Sequence, residues 1–172
     1  VSQVASSIGG LYAFDLGNSR FAFGLCTHED LSGGPNAIRQ FVRLFDKITP
    51  KPLATIDSIL ALPVLNSVLM PLDDMPEARL IARVPVPAHF AAAPRFRMGG
   101  GGLGPYWLVE GIGIEAEFVE GPVTEAEVAA TPDIVDYGIA EIRQLYEFRL
   151  TPQRLFELNA RLDALDQMMD AL

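Results

Sequence analysis

The residues best equipped for acid–base or nucleophilic chemistry stand together in Cys26-Thr27-His28-Glu29-Asp30. A histidine titrates near neutrality and a neighbouring carboxylate orients its ring, as a small hydrolase or metal-dependent enzyme would require. Cys26 could complete a Cys–His pair, but it ends an apolar run, where a thiol is expected to be an inert small hydrophobe. The second histidine, His89, is sixty-one positions from His28, and neither shows metal-ligand spacing. Asp73-Asp74 lies between Pro71 and Pro76 and reads as a turn. No Gly-x-Ser-x-Gly elbow occurs. The glycine-rich run 99–104 lacks the Lys-Ser or Lys-Thr of a phosphate loop. Glu115 and Glu117 share a strand face, which is more simply solvated surface than a glycosidase pair. The expectation is therefore no catalytic residue, metal or cofactor, with an enzyme using His28, Glu29 or Asp30 as the alternative.

Charge is more informative. Residues 1–98 carry nine Lys or Arg and eight Asp or Glu, whereas residues 99–172 carry four and fourteen. No Lys or Arg occurs from Met98 through Glu141, while Glu110, Glu115, Glu117, Glu120, Glu125 and Glu127 accumulate. A net charge of −9 and a pI near 4.6 repel phosphate backbones and anionic lipid, so neither nucleic acid nor membrane is an expected partner. Solubility alone does not require one-sided acidity, so these glutamates are candidates for docking a basic protein. Tyr106 and Trp107 are possible aromatic anchors beside them. Trp107 lies in an apolar strand, however, and is expected in the core.

The elements that must position these residues follow from periodicity. Residues 11–16 and 20–26 flank Gly17-Asn18-Ser19 and read as a β-hairpin, with Tyr12, Phe14 and Leu16 on one face. Residues 27–36 read as a loop and 41–45 as a third strand, although Ile38, Phe41 and Phe45 also fit a helical stripe. A short helix over 56–62, ended by Pro63, precedes strands over 64–70 and 79–86. Strands over 106–110 and 112–119 follow, the second with Ile112, Ile114, Ala116 and Phe118 on one face and Glu115 and Glu117 on the other. Thr124 N-caps a short helix.

Val135, Ile139, Ile142 and Tyr146 recur at helical spacing, with Gly138 a weak point. Thr151-Pro152 then opens a helix whose Leu155, Leu158, Leu162, Leu165, Met169 and Leu172 alternate spacings of 3 and 4. This helix is expected to lie on the sheet core, its alternative being a structural module that dimerises through the seam. The fold expected is α+β, a curved antiparallel sheet or small open barrel with C-terminal helices packed on it. Residues 1–172 read as a single domain, mainly β over 1–119 and mainly helical over 120–172. A single cysteine and the lack of an apolar span or a basic leader point to a soluble protein of the reducing cytoplasm.

Tyr12-Ala13-Phe14-Asp15-Leu16, a glycine turn, Arg20-Phe21-Ala22-Phe23-Gly24-Leu25 and Phe41-Val42-Arg43-Leu44-Phe45-Asp46 together resemble the opening of the immunity protein 26 family, found beside bacterial polymorphic toxins. The resemblance extends over Leu80 to Pro87, Pro94 to Phe96 and Tyr106-Trp107-Leu108. It implies a non-catalytic inhibitor that binds and neutralises a cognate toxin, a basic one given the acidity here, by occluding its active site. No catalytic residue would carry over.

Overall fold

The computed structural model describes residues 5–52, 55–100 and 104–171. It begins with a tight reversal: Asn18 and Ser19 adopt φ of 55° and 54°, the left-handed pair whose twist matches a two-residue hairpin. That turn joins β1 (Gly10–Gly17) to β2 (Arg20–Asp30). β3 (Arg39–Phe45) and β4 (Val64–Met70) extend the antiparallel meander, and β5 (Ala78–Arg83) returns to the free edge of β1. The result is an open five-stranded sheet of order β4-β3-β2-β1-β5, not closed into a barrel. A second sheet holds β6 (Arg95–Gly99), β7 (Tyr106–Glu110) and β8 (Glu117–Phe118). The helices are α1 (Ile56–Leu60), α2 (Glu125–Ala130), α3 (Ile139–Glu147) and α4 (Pro152–Asp170), and the class is α+β.

Both faces of the large sheet are interior. Tyr12, Phe14, Leu16, Val42 and Leu44 pack beneath Ile142, Leu145 and Tyr146 of α3, while Leu11, Phe23, Leu25 and Phe45 pack beneath Ile59 of α1 and Phe90. Small residues stand opposite large ones across the hairpin, with Phe14 facing Ala22, Tyr12 facing Gly24 and Phe23 facing Ala13. A Cβ on Gly24 would lie 2.6 Å from Val42 Cγ1 and 3.0 Å from the Phe14 ring, so the glycine is a packing requirement. Phe96 meets Phe41 edge-on at 5.1 Å and seats the second sheet on the first.

The two sheets are stitched by residues 132–137. Arg97 N donates to Pro132 O at 2.8 Å and Ile134 N to Arg97 O at 3.2 Å, and Tyr137 N then donates to Leu69 O at 2.8 Å, so one strap satisfies the open edges of both β6 and β4. The Arg97 side chain, 1% exposed, locks the strap through Asp133, with Nε–Oδ1 at 2.6 Å and Nη2–Oδ2 at 3.2 Å. Its Nη1 also donates to Ala129 O (3.1 Å) and Pro152 O (2.9 Å), tying in the end of α2 and the start of α4. A desolvated guanidinium is tolerable only with its donors met in this way.

Several expectations need correction. Thr27 to Asp30 continue β2 rather than entering a loop, whereas Phe41 to Phe45 form the expected third strand and not the alternative helical stripe. Residues 112–119 do not form one alternating strand: Gly111 (φ 99°) and Gly113 (φ 64°) turn the chain into a single 3₁₀ turn, leaving only Glu117 and Phe118 paired. Gly138 is the N-cap of α3, where the absence of a side chain costs little, and Val135 precedes the helix. α4 starts at Thr151-Pro152 as expected and packs Leu155 on the core, but beyond its first turns it is not laid on the sheet, whose face α3 already covers. Leu172 lies outside the described residues, as do Gly101, Gly102 and Leu103. Among the described residues no helix is long and apolar enough to cross a membrane.

Replacing Arg97 by Met leaves the Asp133 carboxylate and the helix-end carbonyls without their donor, and is expected to lower unfolding free energy by about 3–5 kcal/mol. Arg97→Lys restores the charge without the fork and should recover only part of that loss. Urea denaturation monitored by circular dichroism measures both; a loss below about 0.5 kcal/mol for Arg97→Met, the range of ordinary surface changes, would remove Arg97 from this role.

Candidate functional site

The acid–base candidates on β2 do not converge. After an irregularity at Cys26/His28, His28 pairs with Phe41 and Asp30 with Arg39, whereas Glu29 pairs with Gln40 on the opposite face. Glu29 accepts from Ser6 Oγ at 3.1 Å and from the Ser7 amide. Asp30 is buried and consumed structurally, accepting from Arg39 Nη2 at 2.6 Å, Ser32 N at 2.9 Å and Ser32 Oγ at 2.5 Å. Burial alone would raise its carboxyl pKa, but these hydrogen bonds and the Arg39 charge outweigh it and hold the carboxyl below its ordinary value.

His28 bonds Thr27 Oγ1 at 2.9 Å, and burial followed by the Arg43 charge lowers its pKa, favouring a neutral ring. Cys26 is buried, and desolvation pushes its thiol up to about 12, the inert hydrophobe its apolar run implies. Asp73 and Asp74 sit in a 3₁₀ turn, with Asp73 accepting from Gln40 Nε2 at 3.3 Å. Among the described residues no group of three or more His, Cys, Asp or Glu could hold a metal ion.

The glycine run joins two strands, β6 and β7, with Gly99 opposite Tyr106, where a phosphate loop would lead into a helix. Arg43, which periodicity alone does not single out, is a partly buried cation over the rings of Phe41 (4.5 Å) and Phe90 (5.4 Å), with Nη1 on Ser67 Oγ at 3.3 Å. Desolvation lowers its pKa to about 10, so it stays charged at neutral pH.

The acidic residues do converge. Glu110, Glu115, Glu117 and Glu120 line one surface depression with Arg95, at the open end of β7 and the edge strand β8. Arg95 pairs with Glu110 at 2.5 Å, and both side chains are about half exposed, so the bond is worth little. Among the described residues that leaves three glutamates lining the depression with no further cation in its lining. Phe118, 63% exposed, also lines it and meets Trp107, 55% exposed, edge-on at 6.2 Å.

The core expectation for Trp107 is thus overturned. On the same face of the sheet, Phe96 packs on Phe41 and Leu69 of the first sheet and its partner Val109 is buried, whereas Trp107 lies one pair further along, opposite Met98, and emerges into solvent. Tyr106 points the other way and packs on Phe156 of α4 at 5.2 Å, a position that seats the helix rather than anchoring a partner. Glu127 is spent on a capping box: it accepts from Thr124 N at 2.8 Å while its own amide donates to Thr124 Oγ1 at 3.2 Å. Those hydrogen bonds depress its carboxyl pKa. Glu125 is an exposed first-turn residue of α2, outside the depression.

Phe118 belongs to this surface, and Ile114, 90% exposed, lines a separate depression beside Asp30 and Ser32, although the strand pattern places both on a packed face. The available signal was the pair of glycines at 111 and 113, which break a strand more readily than they continue it. No family model, curated protein or solved structure matches the chain.

Two outcomes follow from the β2 geometry. Because the Asp30 pKa is depressed on folding, its stabilisation is present above about pH 3.9, the unfolded value, and fades as pH falls toward the folded one. Asp30→Asn should therefore cost about 2 kcal/mol at pH 7, a gap that narrows below about pH 4 in denaturation series. A gap independent of pH would mean that the ionised carboxylate is not what stabilises. Cys26 should resist an aromatic disulfide reagent at pH 8 in the native protein and react promptly in denaturant, so rapid native labelling would contradict its burial.

Proposed function

We propose that this protein is an immunity-type inhibitor that binds a basic bacterial toxin and occludes its active site with the β7–β8 edge. The observation that carries the reading is the junction of an under-neutralised acidic depression with a solvent-exposed aromatic pair, Trp107 on β7 and Phe118 on the edge strand β8. Charge around a rim speeds association and rejects wrong partners, while desolvated aromatics at the centre supply affinity. Glu115, Glu117 and Glu120 would face cationic residues that the toxin uses for an anionic substrate such as nucleic acid, and Trp107 would enter a pocket of the partner. The resemblance of the opening strands to the immunity protein 26 family points to the same role.

The test is capture against a panel of purified basic toxin domains at about 50 mM and about 500 mM salt, which differ severalfold in Debye length. One domain should be retained and its toxicity neutralised. Glu115→Gln, Glu117→Gln and Glu120→Gln combined should slow association about tenfold at low salt and little at high salt. Trp107→Ala should raise Kd about thirtyfold, mostly through dissociation. Capture insensitive to all four changes would move the interface elsewhere, and capture of no domain would defeat the reading.

A further inference from the structure

The C-terminal helix carries an apolar seam that the other described residues leave uncovered. Among the described residues α4 is held at its start only: Pro152 O accepts from Arg97, Leu155 touches the core cluster, and Phe156 packs against Tyr106 and the Arg97 guanidinium. Beyond that point Leu158, Leu162, Leu165 and Met169 are 43%, 51%, 54% and 70% exposed. No residue of this 19-residue helix is fully buried. A solvated helix gains nothing from leucine or methionine every third and fourth position, whereas a second helix laid along them would bury the whole row.

We infer that this seam binds the same seam of a second copy of the chain, in parallel. The charges beside it select both occupant and direction. With Leu162 and Met169 at a and Leu158 and Leu165 at d, Arg161 falls at g and Asp166 at the following e. In a parallel pair g faces the partner's next e, so each Arg161 meets an Asp166 of the other copy, twice by symmetry. In an antiparallel pair g faces g and e faces e. The g positions Arg154, Arg161 and Met168 and the e positions Asn159 and Asp166 then offer no opposite charges in any register.

A seam this short buries on the order of 1,000 Å² in total, at the lower end of specific interfaces, and so gives a concentration-dependent dimer. Anchoring of α4 at Arg97 presents the helix already formed, which removes part of the ordering cost of association. This inference stands apart from the toxin-binding proposal and shares no residue with it.

Sedimentation equilibrium of the full chain from about 5 µM to about 500 µM, a range suited to an interface of this size, tests it. The mass is expected to rise from 18.7 kDa toward twice that value, and Leu162→Asp should hold it at the monomer with unchanged circular dichroism. Arg161→Asp alone and Asp166→Arg alone each place like charges across a parallel seam and should weaken association about tenfold. Mixing the two variants restores both opposite-charge pairs and should recover it. A monomer at every concentration overturns self-association. A dimer indifferent to either single charge reversal overturns the parallel arrangement.

Discussion

A guanidinium buried to 1% exposure cannot be left without acceptors, and the surroundings of Arg97 are organised by that demand. Asp133 supplies a two-pronged carboxylate, and backbone carbonyls from the last turn of α2 and the first of α4 take the remaining donors. Meeting these bonds together fixes the strap at 132–137 against β6, and through Tyr137 against β4, so the second sheet has one position relative to the first. The last carbonyls of α2 sit where a cation is favoured by the helix dipole, which adds to the same preference. The direction of α4 follows as well, because its first carbonyl is pinned while the helix beyond the second turn meets little of the body.

That arrangement accounts for the two unusual surfaces. Placing β6 against the strap turns the hairpin outward, so its far end, with Trp107, lies past the cover of the first sheet, and the short β8 becomes a free edge. Glutamates on an exposed edge deter strand-to-strand aggregation, which is a structural reason for some of the acidity. It does not explain an exposed tryptophan and phenylalanine beside them, since those residues favour the association that the charges discourage. Acids and aromatics on one edge make sense together when a partner of opposite charge covers both.

Legibility from sequence varied with how local the signal was. The β1–β2 reversal, β4, α1 and the caps at Thr124 and Thr151 were readable because each depends on residues within one turn or one strand. The boundary of β2 was not, since Thr27 to Asp30 look like loop until β3 offers them partners. The strand expected over 112–119 failed for a local reason, the left-handed glycines at 111 and 113, and its failure freed Ile114 and Phe118. Of the acidic candidates, Glu110, Glu115, Glu117 and Glu120 are brought together, Glu127 is used as a cap and Glu125 stands apart.

By itself the sequence determined the class of fold, the absence of any metal-binding or nucleophilic motif of known spacing, and the concentration of net negative charge in residues 99–172. These are properties of composition and short-range periodicity, which act before the chain has a shape. Only the tertiary structure decided which side chains meet. The Arg97–Asp133 bond spans thirty-six positions and its companion at Pro152 fifty-five. Arg95 and Arg97 share one short strand, yet nothing local distinguishes the exposed arginine from the buried one. The exposure of Trp107 and of the α4 seam was settled the same way, by how far the first sheet and α3 extend, a matter of packing between elements that no spacing within one element records.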